Sequence, residues 1–241
     1  MKLFLVRHAQ SENNVLWGEF GTDDLKARSA DPQITDTGHH QAALLAKHLV
    51  DQGLIPKDNH EGRTYLYCSL MTRSIQTAEY LRQEAGIPLT ALEDVFEKKG
   101  LYEIDDAGIE VSVEGPGRQY FEERFPELKL PDTLTDKGWW NRPVETEQDF
   151  LNRVISSLEN LIQEHGHENH DIFLVAHGDY LDEAINVIMS TPRNPHNYQS
   201  SWVANWVFHN TSISCIDIQE KARNVIYLNR INHLPEKFVT W

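Results

Sequence analysis

Leu3-Phe4-Leu5-Val6-Arg7-His8-Ala9-Gln10-Ser11-Glu12-Asn13-Asn14 opens the chain and decides how the rest of it is read. Four apolar residues in succession suit a short strand covered on both faces, since alternate side chains then meet two apolar layers. The run ends abruptly in Arg-His. A guanidinium and an imidazole therefore stand at a strand tip, where open α/β sheets place their ligands. A cation beside a nucleophilic ring nitrogen makes an anion site that can also do chemistry.

Two later segments repeat the arrangement. Cys68-Ser69-Leu70-Met71-Thr72-Arg73-Ser74-Ile75-Gln76-Thr77-Ala78 runs from a strand into a helix, with Arg73 about one turn past the tip. Leu174-Val175-Ala176-His177-Gly178-Asp179 ends another apolar run in His-Gly. Three strands thus deliver Arg7 and His8, Ser69 and Arg73, and His177 at their C-terminal ends. In a parallel sheet those ends share one edge.

Strands are expected at Leu3–Val6, Thr64–Ser69, Asp171–Ala176, Ser212–Ile218 and Asn224–Asn229, the last two as an antiparallel hairpin about Glu220-Lys221. Helices are expected at Thr35–Gln52 with Gly53 as its stop, at Met71–Ala85 ending at Gly86, at Glu147–Glu164 with Thr146 and Asp149 as a capping box, and at Asp179–Met189. Strands separated by helices predict an α/β three-layer sandwich. Its central sheet is mostly parallel, with helices on both faces and an antiparallel edge hairpin. The 241 residues read as a single domain. Residues 98–145 break the alternation with many charges, Gly115-Pro116-Gly117, Trp139 and Trp140, and one short helix near Arg118–Phe125. They read as an insertion over the active-site edge.

The net charge of −15 argues against a nucleic-acid surface and requires any phosphate site to be locally basic. No stretch approaches the roughly 20 apolar residues of a membrane span. Cys68 and Cys215 lie in apolar strand-like runs and read as buried thiols of a reducing, cytoplasmic compartment. The sequon Asn210-Thr211-Ser212 is then idle.

Arg7-His8 with Ser11 and Asn14, the block Ser69…Arg73-Ser74-x-Gln76-Thr77-Ala78, and Ala176-His177-Gly178 resemble the histidine phosphatase superfamily, the phosphoglycerate-mutase-like clan. Ile34-Thr35-Asp36-Thr37-Gly38-x-x-Gln41-Ala42 is similar to that family's usual first-helix opening. One departure is Ala9, where the family commonly has Gly. It raises the question of whether that backbone needs positive φ or a close approach.

The resemblance implies a phosphomonoester hydrolase that needs neither metal nor cofactor and acts on a small phosphorylated substrate. His8 would be the nucleophile and form a transient phosphohistidine. Arg7 and Arg73 would bind the phosphoryl oxygens and depress the pKa of His8. His177 would add a donor, with Ser11 and Asn14 hydrogen-bonding at the rim. Glu97, in Phe96-Glu97-Lys98-Lys99-Gly100, would be the general acid. Its setting resembles the Glu-x-Gly-Gly acid segment of some members, with Lys99 in place of the first Gly. Glu145 is the second choice, because Glu145-Thr146 resembles a Glu-Ser pair found there in many members. Arg28 would reach a second anionic group on the substrate, with a surface salt bridge as the alternative. Arg142 would join the pocket from the excursion.

Two other readings remain open: a phosphoglycerate mutase with the same chemistry, and a catalytically inactive phospholigand-binding module. Two patterns are set aside. Cys68 and Arg73 have four residues between them where a cysteine-phosphatase loop has five, and no glycines aim amides at a phosphate. His165, His167 and His170 read as a polar loop before a strand rather than a zinc site. The oligomeric state is not legible.

Overall fold

The structure is a computed structural model that describes residues 1–20, 27–59, 62–189 and 205–241. Among these residues nine strands and six α-helices follow in the order β1 (Lys2–Arg7), α1 (Glu12–Phe20), α2 (Asp36–Asp51), β2 (Thr64–Ser69), α3 (Thr72–Ala85), β3 (Leu89–Leu92), β4 (Tyr102–Ile104), β5 (Glu110–Ser112), α4 (Arg118–Arg124), β6 (Leu128–Lys129), α5 (Glu147–His165), β7 (Asp171–Ala176), α6 (Gly178–Met189), β8 (Ile213–Ile218) and β9 (Arg223–Arg230).

Seven strands form one sheet in the order β6-β3-β2-β7-β1-β8-β9. Neighbours from β6 to β1 are parallel, and β8 and β9 close the other edge as an antiparallel hairpin. The expected class is therefore the observed one. The opening run shows why. Phe4 and Val6 pack into one apolar cluster with Leu45, Leu49, Ile75 and Ala78 of α2 and α3. Leu3 and Leu5 point the other way, into a cluster with Val154, Leu158, Leu181 and Ala184 of α5 and α6. A period of two against two apolar layers leaves no polar position between Leu3 and Val6. Phe4 and Phe173, paired across β1 and β7, stack with ring centroids 4.3 Å apart.

Helix ends follow their signals. The Thr35 side chain accepts from the Gly38 amide, and the Thr146 side chain accepts from the Asp149 amide. Gly86 ends α3 in the left-handed conformation at φ 68°. Gly38 has a second duty, because a Cβ there would lie 2.3 Å from the Gln10 carbonyl oxygen. Helix α1 and strands β3 to β6 were not foreseen. Strand β6 pairs with β3 at Leu89 and Leu128, so the 98–145 segment returns to the main sheet and supplies its edge. Strands β4 and β5 form a separate antiparallel ribbon. Trp139 and Trp140 are buried, with Trp140 edge-on to Phe96 at 5.0 Å. No described helix is long and apolar enough to cross a membrane.

Candidate active site

Register brings the polar tips together. Arg7 pairs with Ala176 across β1 and β7, and Cys68 pairs with Val175 across β2 and β7. His8, Ser69 and His177 consequently leave their strands at one level. The imidazoles of His8 and His177 lie 5.2 Å apart, and Ser69 Oγ is 2.7 Å from His177 Nε2. Arg73, in the first turn of α3, reaches His8 Nε2 with its Nε at 3.2 Å. His8 Nδ1 faces the Ala9 carbonyl at 2.7 Å. Ala9 is not among the residues with positive φ, and its amide donates to Thr77 Oγ1 at 3.0 Å. The residue after His8 therefore adopts a backbone that alanine tolerates.

His8 and Arg73 open into a cavity of about 520 Å³ lined by Arg7, His8, Ser11, Asn14, Arg28, Arg73 and Glu97, among others, while His177 and Ser69 are fully buried behind His8 and do not line it. Burial holds the His8 pKa well below its ordinary value, and Arg73 and then Arg7 lower it further. The arginines were expected to do this; desolvation does more of it. His177 is likewise held well below its ordinary value, first by burial and then by Arg73. Burial brings Arg7 down to about 10, which still leaves it charged at neutral pH. Two buried polar atoms here have no protein partner, Arg7 Nε and His177 Nδ1. Buried polar groups are almost always satisfied, so these two beside His8 suit the oxygens of a bound anion.

Glu97 enters the same cavity. Its Oε1 accepts from the Lys98 amide at 2.9 Å and the Tyr180 amide at 3.2 Å, and its Oε2 faces the Asp179 amide at 3.4 Å. The carboxyl thus sits on the amino end of α6, one turn past His177. Burial raises its pKa to about 7, with Asp179 adding to the rise and Arg73 opposing it. Glu145 is elsewhere engaged: Arg153 grips it with Nε at 2.7 Å and Nη2 at 2.8 Å, both side chains being 7 % exposed. Arg153 also donates to the Asp94 and Phe96 carbonyls, so the pair fixes the segment that carries Glu97.

Ser11 donates from both its amide and its hydroxyl to Asn14 Oδ1 at 3.0 Å. Arg28 donates to the Tyr102 carbonyl, and its guanidinium lies 3.7 Å over the Tyr102 ring. Arg142 is not in this cavity. It stands in a second one with Glu145 and Arg153, 5.0 Å over the Trp140 ring, so its expected substrate contact is corrected. The buried Trp140 draws it there, away from His8.

Sequence reasoning missed several members. Asn210 is fully buried and donates from Nδ2 to the His8 carbonyl at 3.1 Å and to Asn14 Oδ1 at 3.3 Å. Thr211, at φ 58°, directs its amide at the carbonyls of Arg7, 3.1 Å, and His8, 3.4 Å. Asp31 accepts from the Thr72 amide and hydroxyl, capping α3 just ahead of Arg73. The Asn-Thr pair carried the only signal, and it read as an idle sequon. Lys99 and Gly100 have φ of 73° and 76°, so the glycine-like requirement at Lys99 is met by a lysine. Its Nζ pairs with Glu110 at 2.5 Å. His165 and His170 meet through Nδ1 atoms 3.0 Å apart. Among the described residues no group of three or more such side chains is arranged around a metal position.

The family model described as histidine phosphatase superfamily (branch 1) matches residues 3–231. The chain belongs to the histidine phosphatase superfamily. Solved histidine-phosphatase-fold enzymes share its architecture. An ecdysone phosphate phosphatase from Bombix mori, in complex with tungstate, superposes with TM-score 0.62 at 14 % identity, covering 96 % of this chain and 95 % of that one. The alpha-ribazole phosphatase from Shigella flexneri gives 0.58 at 20 %, covering 95 % and 96 %. A phosphoserine phosphatase mutant from Entamoeba histolytica, in complex with phosphoserine, gives 0.56 at 19 %, covering 97 % and 99 %. At such identities the likeness is one of fold. No curated protein matches the chain by sequence.

Proposed function

We propose that this histidine phosphatase superfamily member hydrolyses phosphomonoesters through a phosphohistidine at His8, without a metal. The observation that carries the reading is the meeting of a buried, neutral His8 with Arg73 on its Nε2 and a carboxyl titrating near neutrality in the same cavity.

In the first half-reaction His8 Nε2 attacks phosphorus, and the bond to the ester oxygen breaks. The departing alkoxide takes the Glu97 proton and leaves as the alcohol. In the second, Glu97 accepts a proton from water, whose oxygen forms the new bond to phosphorus as the His8 bond breaks. Phosphate leaves and both groups are restored. Arg7 and Arg73 offset the charge on the equatorial oxygens, and the unpartnered His177 Nδ1 donates once it carries its proton. Two guanidinium groups supply the positive charge that magnesium supplies in other phosphotransfer sites, which is why the reaction needs no cation. The Asn14 side-chain Oδ1 is taken up by Ser11 and Asn210, so Asn14 serves the ligand through Nδ2. Glu97 is favoured over Glu145 because the latter is neutralised by Arg153.

The chain works as one domain, with Lys98, Lys99, Gly100 and Tyr102 of the excursion forming part of the cavity wall. Its substrate is a small phosphorylated molecule rather than a nucleic acid. The buried free thiols Cys68 and Cys215 support a reducing, cytoplasmic setting. Phosphate release from a panel of phosphorylated metabolites, in buffer containing excess EDTA, tests the reading. Release by the wild type and none by His8→Ala is expected. A wild type that binds phosphate esters without turning any over would point to the inactive binding module instead. Loss of activity on chelation, restored by zinc or magnesium, would overturn metal independence.

A further inference from the structure

The cavity wall is not uniformly polar. Val207 and Trp241 line it beside the arginines, and they remain 63 % and 59 % exposed. Ile109, their equal in exposure at 61 %, lies in the turn between β4 and β5, outside the cavity. Two large apolar side chains left uncovered at the mouth of a cationic pocket present a surface that gains only when something apolar covers it.

Trp241 is held in a fixed relation to the reacting histidine. Thr240 donates from Oγ1 to Asn210 Oδ1 at 2.9 Å, and its carbonyl accepts from the Asn210 amide at 3.0 Å. Gln41 Nε2 donates to Thr240 Oγ1 at 2.8 Å and to the Phe238 carbonyl at 2.7 Å. The same Asn210 donates to the His8 carbonyl. The indole lies against the His209 ring, tilted by 30° with centroids 3.6 Å apart, so one face of the ring is supported by protein. By contrast, the Tyr102 ring elsewhere in the wall is already covered by Arg28.

We infer that Trp241 and Val207 form a subsite for the leaving group, which makes phosphomonoesters of aromatic or apolar alcohols the preferred substrate class. The inference rests on the reading of the cavity as a phosphate-ester site. With the phosphoryl group on Arg7 and Arg73, the ester substituent must leave the pocket past its rim. There an aromatic or branched apolar body exchanges water for the indole and the valine. A short polar alcohol gains nothing from them.

Calorimetric titration with two phosphonates tests this. Benzylphosphonate and methylphosphonate present nearly the same oxyanion and differ in the apolar body. The wild type is expected to bind the benzyl compound about tenfold more tightly, the scale of one aromatic pair with its buried area. Trp241→Ala should bring the ratio to about one, and Trp241→Phe should keep most of it. Ile109→Ala, equally exposed but outside the cavity, should keep the full ratio. Thermal melts of each variant guard against misfolding, and the main-chain ties of Thr240 do not depend on the indole. Phosphate release from p-nitrophenyl phosphate reports separately on the enzyme. Turnover with no benzyl preference, or with a preference that survives Trp241→Ala, overturns the subsite alone. Failure of both phosphonates to bind, together with no turnover, overturns the subsite and the phosphatase reading alike.

Discussion

Arg73 donates from Nε to Nε2 of His8 across 3.2 Å. A guanidinium can only donate, so Nε2 holds the ring's lone pair and the proton sits on Nδ1, facing the Ala9 carbonyl at 2.7 Å. The tautomer that attack through Nε2 requires is therefore set before a substrate arrives. An incoming phosphoryl oxygen takes over the Arg73 donor and releases the lone pair. Arg73→Ala should lower kcat/KM by at least about a hundredfold, and Arg73→Lys should recover little of it, because a point charge cannot both orient the ring and fork onto phosphate. Steady-state kinetics on p-nitrophenyl phosphate measures this, and a lysine variant near wild type would contradict it.

Glu97 makes the reaction sensitive to the leaving group. An alkoxide of conjugate-acid pKa about 15 needs its proton, whereas p-nitrophenolate, about 7, scarcely does. Glu97→Gln should damage alkyl phosphate hydrolysis by orders of magnitude more than p-nitrophenyl phosphate hydrolysis. Equal damage to both substrates would remove Glu97 from the role.

The pH profile follows from the same group. The Glu97 pKa is raised to about 7, first by burial and then by Asp179, so the carboxyl keeps its proton up to that pH and loses it above. His8 is held well below its ordinary value and is already neutral on the acid side. Both reactive forms thus coexist from mildly acid pH to about 7. Activity on an alkyl phosphate should fall as pH rises through 7 relative to activity on p-nitrophenyl phosphate, a ratio that cancels most of the substrate's own ionisation. Asp179→Asn removes a raising influence and should move this limb to lower pH. A ratio that climbs through pH 7 would be incompatible with a protonated Glu97 as donor.

Glu145 and Arg153 form a buried pair whose guanidinium also holds the Asp94 and Phe96 carbonyls. Glu145→Ala leaves that cation without its partner and should cost about 3–5 kcal/mol of stability, a fall in Tm on the order of 10 °C. Glu145→Gln should depress both substrate types alike. Thermal denaturation and the same two substrates distinguish this from a direct part in proton transfer; a leaving-group dependence like that expected of Glu97 would transfer the role to Glu145.

Arg28 and Arg142 separate in the same way. Arg28 lines the cavity on Tyr102, so Arg28→Ala should raise KM for substrates with a second anion and spare those without one. Arg142 lies over Trp140 in the other cavity, so Arg142→Ala should change kcat/KM less than about twofold. Equal KM effects of the two substitutions would contradict the placement.

The strands that carry His8 and His177 were legible because both their faces are buried, and continuous apolar runs have no polar interruption to disguise them. Strand β3, Leu-Thr-Ala-Leu, is as compatible with a helix as with a strand, and β6 has only two residues. Both owe their state to the neighbour they pair with, which local sequence does not reveal. Trp139 and Trp140 pack into the core, and Arg142 stays exposed over the Trp140 ring, a placement set by what the indoles pack against. Asn210 and Thr211 act on the backbone of β1 from more than two hundred positions away in sequence, and a left-handed threonine leaves no compositional trace. Lys99 is the instructive mismatch. The departure from glycine was visible, and the backbone kept the glycine-like φ of 73° anyway, with the side chain tied to Glu110.

The central claim is that phosphate passes through His8. Wild-type enzyme denatured without acid during turnover of a labelled substrate, then mapped by peptide mass spectrometry, measures it directly. The account predicts phosphate on His8 that survives alkali and is lost in acid, with no label and no turnover in His8→Ala. Label on any other residue, or full activity in His8→Ala, would contradict it.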